Sequence, residues 1–299
     1  MFIKQSLEEK ERFIRNTFGN KCRMSGKNAA IIKKIQALAN NSKSNPEKLV
    51  GVEGIWASSK LLEYDVAIQS VVIDLEAITT LDAYNIMMRL LEATEEIHIV
   101  SNMTFKKIAE VGTSAGLFVV AKFPQKKLSQ LIPKQHQVIV VLDGLEIPGN
   151  IGTIIRSCDG TNTDAIIICN RKTRLTHPKI LRSSQGSCFK VPIVEEEATT
   201  VIDWLKQNKY RILLTDTDAD QYYYEESYTG KIAIVMGSER YGISKEWYGI
   251  DAQKLKIPMY GDCDSLNVGI AATLILYEAA IKRRSEEHTS ELQSRHNLG

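Results

Sequence analysis

Residues 138–142 read Val-Ile-Val-Val-Leu, with no polar position left to face water. A strand of that composition is stable only when both faces are covered, whereas a half-exposed strand would alternate. Similar runs follow at 165–169, 189–193, 211–214 and 232–236, with helical patterns between them and a short strand expected at 256–257. Strands buried on both sides and joined through helices predict an α/β architecture, a parallel-rich sheet layered between helices. Ligands of such sheets sit beyond the carboxyl ends of the strands, so the loops after these runs are where chemistry is expected.

Upstream, strand patterns at 49–52, 68–73, 97–100 and 117–121 alternate with helical patterns at 55–62, 83–92 and 105–111. They predict a smaller α/β domain with its own core. Residues 1–45 read as a basic helical segment, in which Ile31, Ile32, Ile35 and Leu38 form one apolar stripe and Lys27, Lys33 and Lys34 lie off it. Residues 1–50 carry eleven Lys/Arg against four Asp/Glu although the whole chain is only +2, so a polyanion-binding face is expected at this end. The basic, proline-bounded stretch 124–136 reads as a linker, which gives domains at 46–123 and 137–284. Residues 285–299 are polar and aperiodic and are expected to lie outside the native fold, as a non-native or disordered tail.

The chain of 299 residues opens without an apolar leader and holds no apolar run of membrane-spanning length, which points to a cytoplasmic protein with no membrane partner. Its five cysteines, Cys22, Cys158, Cys169, Cys188 and Cys263, form no C-x-x-C pair, so neither a disulfide framework nor a zinc site is signalled. Asp262-Cys263-Asp264 sets hard carboxylates beside a soft thiolate without a histidine, a poor ligand set, and no metal is expected. The dinucleotide fingerprint, the Walker loop, H-E-x-x-H and G-x-S-x-G are all absent.

Three loops carry information. The strand at 138–142 leads into Gly144-Leu145-Glu146-Ile147-Pro148-Gly149-Asn150-Ile151-Gly152, with Asn150 at an expected helix start and Arg156 further along that helix. The run at 232–236 leads into Gly237-Ser238-Glu239-Arg240-Tyr241-Gly242, where two glycines let backbone approach a ligand and Glu239 stands between them. The last strand leads through Ile257-Pro258-Met259 to Ser265-Leu266-Asn267-Val268, at the mouth of an apolar helix whose unpaired N–H groups carry the positive end of its dipole. Ser265 is the expected cap. Each loop alone reads as ordinary turn and capping chemistry. Arg182-Ser183-Ser184-Gln185-Gly186 adds an arginine, hydroxyls and a glycine, a composition suited to phosphate.

Taken together, in order and spacing, G-N-I-G-T-I-I-R (149–156), Gly237-Ser238-Glu239 with Gly242, and Ile257-Pro258-Met259 with Ser265-Leu266-Asn267-Val268 resemble the SpoU/TrmH branch of the SPOUT RNA ribose methyltransferases. Gly51-Val52-Glu53-Gly54-Ile55 and Thr113-Ser114-Ala115-Gly116-Leu117 are similar to the ribosomal-protein-like RNA-binding domain that many members carry. The resemblance implies an α/β knot, a deep trefoil, in the C-terminal domain, and a homodimer. It implies S-adenosyl-L-methionine as the methyl donor to a ribose 2′-hydroxyl of RNA, with large-subunit ribosomal RNA the expected target. The cofactor contacts it implies are Thr215 and Asp216, Met236 and Gly237, Ile257 and Met259, and Ser265 and Leu266, with Gly237 keeping the cofactor's space clear of a side chain. The catalytic set it implies is Asn150, Arg156, Glu239, Ser265 and Asn267, Arg156 acting across the dimer and Asn267 supporting the loop that holds it. Arg182 matches a position that contacts RNA phosphate, and Lys27, Lys33 and Lys34 extend the basic surface. The loop at 144–152 departs from the commoner D-P-x-N form and resembles the thiostrepton-resistance members. A tRNA 2′-O-methyltransferase, and a non-catalytic knotted RNA-binding or ribosome-assembly protein, are the alternative readings.

Overall fold

The upstream alternation forms a five-stranded sheet from β1 (Cys22–Met24), β2 (Leu49–Glu53), β3 (Ile68–Ile73), β4 (Glu96–Ile99) and β5 (Leu117–Lys122), ordered β1-β4-β3-β5-β2. β1, β4 and β3 are parallel, while β5 runs antiparallel to β3 and to β2. The computed structural model describes residues 2–110 and 115–296, with side chains as far as 285. The basic segment is not one helix. Helix Leu7–Phe18 opens with a capping box, the Glu9 amide donating to Ser6 Oγ at 3.3 Å and the Ser6 amide to Glu9 Oε2 at 2.8 Å, and β1 follows it into the sheet. Helix Ala30–Ala39 then buries Ile31, Ile32 and Ile35 in a core shared with Val72, Phe118 and Val120. Lys27, Lys33 and Lys34 stay exposed, and Lys34 Nζ donates to Gln69 Oε1 at 3.2 Å.

The helix expected at 105–111 lies earlier, at Asn102–Phe105, because Ser101 accepts the Thr104 amide and fixes its start there. Of the similarity at 113–117, Thr113 and Ser114 lie outside the described residues, as does Val111.

The apolar runs form one seven-stranded, all-parallel sheet from β6 (Gln137–Asp143), β7 (Ala165–Cys169), β8 (Ile193–Glu195), β9 (Arg211–Thr215), β10 (Gln221–Tyr222), β11 (Lys231–Gly237) and β12 (Gln253–Lys256). Their order is β10-β12-β9-β11-β6-β7-β8. All seven residues of β6 and all five of β7 are buried, as strands covered on both faces require. Helix Pro148–Gly160 starts with proline at its first turn, where a missing N–H costs nothing, and buries Ile151, Ile154, Ile155 and Cys158 along one face. The C-terminal helix Val268–His296 packs against it, with Ser157 and Thr273 hydroxyls 2.7 Å apart. Residues 285–296, expected to leave the fold, continue that helix.

Two features of this sheet differ from the sequence reading. The strand expected at 189–193 is a short helix, Ser187–Lys190, followed by β8; Gly186 opens it at φ +84°, and Cys188 and Phe189 are buried by tertiary packing rather than by strand pairing. The last strand is Gln253–Lys256, ending where Ile257 was expected to continue it.

The contacts divide the chain into two compact units, Met1–Pro124 with Thr176–Leu181 and Gln125–Leu175 with Arg182–Gly299. The stretch read as a linker is packed in the second unit. Lys126 bridges to Val194, and Leu128 and Leu131 enter the core around β6 and β7.

Candidate active site

Two strands of the large sheet are inserted out of sequence order: β11 lies between β6 and β9, and β12 between β9 and β10. The carboxyl ends of β9, β11 and β12 therefore stand side by side, and with the start of the C-terminal helix they wall a cavity of about 340 Å³. Thr215 and Asp216 reach it from β9, Met236 and Gly237 from β11, Ile257 and Met259 from the turn after β12, and Ser265 and Leu266 from the run before the helix. Its size falls at the small end of small-molecule sites, about 300–1,000 Å³. Apolar walls at Met236, Ile257, Met259 and Leu266 suit a flat ring system, and the carboxylates of Asp216 and Glu239 on the same lining suit a cationic group.

At the rim, three polar side chains from three loops join in one run. Asn267 Nδ2 donates to Asn150 Oδ1 at 3.2 Å, and Asn150 Nδ2 donates to Glu239 Oε1. Asn267, not Ser265, caps the C-terminal helix: its Oδ1 accepts the Gly269 amide at 3.0 Å, and its carbonyl accepts the amides of Ile270 and Ala271. Ser265 lies before the cap, exposed and facing the cavity.

The loop that carries Glu239 is closed on itself. The Ser238 amide donates to the Gly242 carbonyl at 3.0 Å and the Gly242 amide returns to the Ser238 carbonyl at 2.9 Å, while Ser238 Oγ accepts the Tyr241 amide at 3.0 Å. Gly237 has its reason here. A Cβ on it would stand 2.3 Å from the carbonyl carbon of Gly242, so the glycine makes room for the turn's own backbone rather than for a ligand.

Asp143, at the end of β6 and 1% exposed, anchors the same loop by accepting the Ser244 amide at 2.6 Å and Asn170 Nδ2 at 2.7 Å. Sequence reasoning passed over it, since an aspartate ending a strand looks like any turn residue.

Asp216 is held from several sides. Its Oδ1 accepts the Asp218 amide at 3.0 Å and its Oδ2 accepts the Tyr248 hydroxyl at 2.9 Å, with Lys254 Nζ at 3.4 Å. Burial works to raise its carboxyl, but these donors together hold it below the usual value. Burial, and then the bond to Asp216, push the Tyr248 phenol up to about 12, so the hydroxyl remains a donor. Tyr248 and Lys254 were also missed; they have no motif and reach Asp216 only through the fold.

Arg156 does not join this cluster. It is exposed on helix Pro148–Gly160, and among the described residues no hydrogen bond or ion pair holds it. Arg182 is exposed on helix Pro178–Ser184 and does not line the cavity, and Lys27, Lys33 and Lys34 belong to the first unit. Burial pushes the Cys158 thiol up to about 12 and the Cys188 thiol to about 11, which leaves neither as a nucleophile. Among the described residues no group of His, Cys, Asp and Glu is placed to hold a metal ion, and no helix is long and apolar enough to cross a membrane.

The description of the SpoU rRNA Methylase family matches residues 137–277. The chain is 28% identical over 187 residues to the 23S rRNA (guanosine(2553)-2′-O)-methyltransferase RlmP of Bacillus subtilis, a match spanning 62% of this chain and 73% of that protein. It is 30% identical over 198 residues to the 23S rRNA (uridine(2479)-2′-O)-methyltransferase of Streptomyces viridochromogenes, spanning 64% of this chain and 69% of that one. Among solved structures, it is similar to the SpoU methyltransferase AviRb from Streptomyces viridochromogenes in complex with the cofactor AdoMet, with a TM-score of 0.77 at 26% identity over 86% of this chain and 99% of that chain.

Proposed function

Because the chain belongs to the SpoU rRNA methylase family, we propose that it transfers a methyl group from S-adenosyl-L-methionine to a ribose 2′-hydroxyl of ribosomal RNA. The observation that carries this reading is the convergence of three strand ends and a helix start on one cavity, with Asn267, Asn150 and Glu239 linked at its rim. Bound in that cavity, S-adenosylmethionine supplies an electrophilic methyl carbon. Thr215, Asp216, Met236, Gly237, Ile257, Met259, Ser265 and Leu266 are the residues proposed to hold it.

The chain's part in the reaction is positioning and charge. With the sulfonium held by those residues, the 2′-oxygen would take its methyl carbon as the S–C bond broke, and the hydroxyl proton would pass to water. Alignment of the oxygen with the methyl carbon, and stabilisation of the charge developing on it, lower the barrier. Asn150, fixed between Asn267 and Glu239, presents an oriented amide at the rim, and Ser265 faces the same space. Arg156 aligns the 2′-oxygen and stabilises its charge; a guanidinium stays protonated and does not serve as the base.

We place Arg156 in the partner's site of a homodimer. Support for the dimer comes from the C-terminal helix, where Ile270 (52% exposed), Leu274 (39%), Tyr277 (48%) and Ile281 (60%) form one exposed apolar stripe at helical spacing. Insertion of β11 and β12 between earlier strands supports the knotted path the family implies. Arg182, Lys27, Lys33 and Lys34 are proposed RNA contacts on exposed surface, in line with a phosphate-binding role. The composition of the 144–152 loop supports the thiostrepton-resistance subtype, which growth of an expressing strain on thiostrepton tests.

Incubation of the protein with methyl-labelled S-adenosylmethionine and ribosomal RNA, followed by mapping of 2′-O-methyl positions, tests the activity. Label in ribosomal RNA alone is expected. Label in tRNA alone would favour a tRNA enzyme, and cofactor binding in neither calorimetry nor transfer would favour a non-catalytic RNA-binding protein.

A further inference from the structure

The edge of the large sheet beside the cavity carries a set of aromatic rings, of which the methyl-transfer reading uses only Tyr248, through its bond to Asp216. β10 is the edge strand, and its Tyr222 pairs with Lys256 of β12, a residue of the cavity wall. Tyr222 and Tyr224 stack with centroids 5.4 Å apart and planes 14° from parallel, and Lys256 Nζ sits 5.3 Å from the Tyr222 centroid. Lys254, two residues back on the same face of β12, covers Tyr248 at 4.9 Å. Tyr224 is 42% exposed and Tyr260, after β12, is 91% exposed. Partial burial, and next the phenol of Tyr260, raise the Tyr224 phenol above its usual value.

The rings are presented on a fixed support. Tyr223 and Tyr224 lie in a single turn, Tyr223–Glu225, whose start is closed by the Tyr222 amide donating to Glu225 Oε2 at 2.8 Å. Fully buried Tyr228 donates its hydroxyl to the Tyr223 carbonyl at 2.7 Å, and Lys282 of the C-terminal helix donates to the carbonyls of Tyr224 and, at 2.9 Å, Glu226. A surface turn tied down from the core on one side and the C-terminal helix on the other holds its rings in place before any ligand arrives, which lowers the ordering cost of binding.

Aromatic faces alternating with ammonium groups match one polymer chemistry, in which flat bases are linked through phosphates. Each exposed ring offers a base a stacking surface, and the neighbouring lysines meet the phosphates. A paired helix keeps its bases inside the stack and cannot use the rings. We propose that the rim formed by Tyr222, Tyr224, Tyr260, Tyr248, Lys254 and Lys256 is a stacking platform for unpaired nucleotides of the RNA substrate, next to the nucleotide that enters the cavity. This rests on the methyltransferase reading for the identity of the substrate, and it selects single-stranded or splayed RNA over duplex as the form bound.

The test uses the full chain, a fluorescein-labelled oligouridylate and a labelled RNA duplex of the same length, with affinity read by anisotropy. Y224A and Y260A are each expected to weaken single-strand binding about tenfold, the double variant more, with duplex binding unchanged. Y224F and Y260F keep the stacking face and are expected to bind as wild type. Calorimetry with S-adenosylmethionine is expected to give wild-type affinity for all five variants, since neither ring lines the cavity. Unchanged single-strand binding in the double alanine variant overturns the platform, as does a wild-type protein that prefers duplex, and so does a loss of cofactor affinity, which would give the rings to the cofactor. Methyl transfer by the wild type to ribosomal RNA is scored separately. Transfer with ring-independent oligonucleotide binding removes the platform alone, whereas ring-dependent binding without transfer keeps the platform and removes the enzymatic reading.

Discussion

Replacement of Gly237 by alanine separates two explanations of that glycine. The new Cβ would lie 2.3 Å from the Gly242 carbonyl carbon, 2.4 Å from the Ile243 nitrogen and 2.6 Å from the Gly242 oxygen. All three are backbone atoms, so no rotamer change relieves the contact. Ordinary contact begins at 3.4 Å, which requires the turn to retreat by 3.4 − 2.3 = 1.1 Å. That retreat breaks the two hydrogen bonds between Ser238 and Gly242, each worth about 1 kcal/mol net, and what remains is overpacking strain of about 1–3 kcal/mol. The variant should therefore lose about 3–5 kcal/mol, a large share of a domain stability of about 5–15 kcal/mol. Urea unfolding of the unliganded protein is the assay, with calorimetric titration of S-adenosylmethionine beside it; a clearly lowered midpoint and at least about tenfold weaker cofactor binding are expected, since Gly237, Glu239 and Gly242 all line the cavity. Gly242→Ala is the comparison: it meets nothing within 4 Å and carries only the cost of φ +66°, about 1 kcal/mol. A wild-type midpoint for Gly237→Ala with cofactor binding abolished would refute the reasoning and return the glycine to the role of clearing space for the cofactor.

Asp143→Ala leaves the Ser244 amide and Asn170 without their buried acceptor, and about 3 kcal/mol of stability should go with them in urea unfolding. Glu226, 3% exposed, is lowered below its usual value of 4.5; burial opposes this, and the Arg211 guanidinium at 2.8 Å with the Tyr228 amide overcomes it. A depressed carboxyl contributes stability above its unfolded value and loses it as pH falls through the folded value, so Glu226→Gln should be less stable than wild type at pH 7 and the difference should shrink as pH falls below the usual 4.5. Leu274→Lys puts a charge in the exposed apolar stripe and should give monomers by light scattering together with lost methyl transfer, while the unfolding midpoint stays near wild type. Arg156→Lys keeps a charge but loses the planar fork, and turnover should drop at least about tenfold with cofactor affinity intact; near wild-type turnover would count against an orienting role.

The large sheet was readable because strands covered on both faces must be apolar throughout, and β6, β7, β9 and β11 fall where such runs occur. The same rule misplaced Phe189, whose burial comes from a short helix opened by a left-handed Gly186, a distinction that apolar composition alone cannot make. β10, two residues long and made of half-buried Gln221 and Tyr222, leaves no pattern to read. At the site, the motif residues could be picked out but not their partnerships. Asn150 and Glu239 are 89 positions apart and meet only because β11 is inserted beside β6, an order that no local pattern encodes. The cap was assigned to Ser265 on residue type, whereas the chain enters the helix two residues later and Asn267 takes the Gly269 amide. Lys254 and Tyr248 escaped notice because a surface lysine and tyrosine are unremarkable until Asp216 is placed between them.

The separation of Asn150 from Arg156 follows from helix geometry and bears on how a complete site is assembled. Six residues of α-helix advance about 9 Å and turn about 600°, so the two side chains point about 120° apart. Asn150 is turned to Glu239 and Asn267, and the intervening buried face carries Ile151, Ile154 and Ile155 into the core. For Arg156 to fold back onto the Asn150 end of its own helix, its side chain would have to cross that distance around the helix surface. In a dimer formed through the exposed stripe of the C-terminal helix, which packs on the same helix 148–160, exposed Arg156 is proposed to serve the partner's cavity. On this reading a monomer binds the methyl donor but holds an incomplete site. The Leu274→Lys variant should then retain calorimetric affinity for S-adenosylmethionine while losing transfer, and mixing it with wild type should not restore transfer in proportion to total cavities, because each productive cavity needs an arginine from a neighbour.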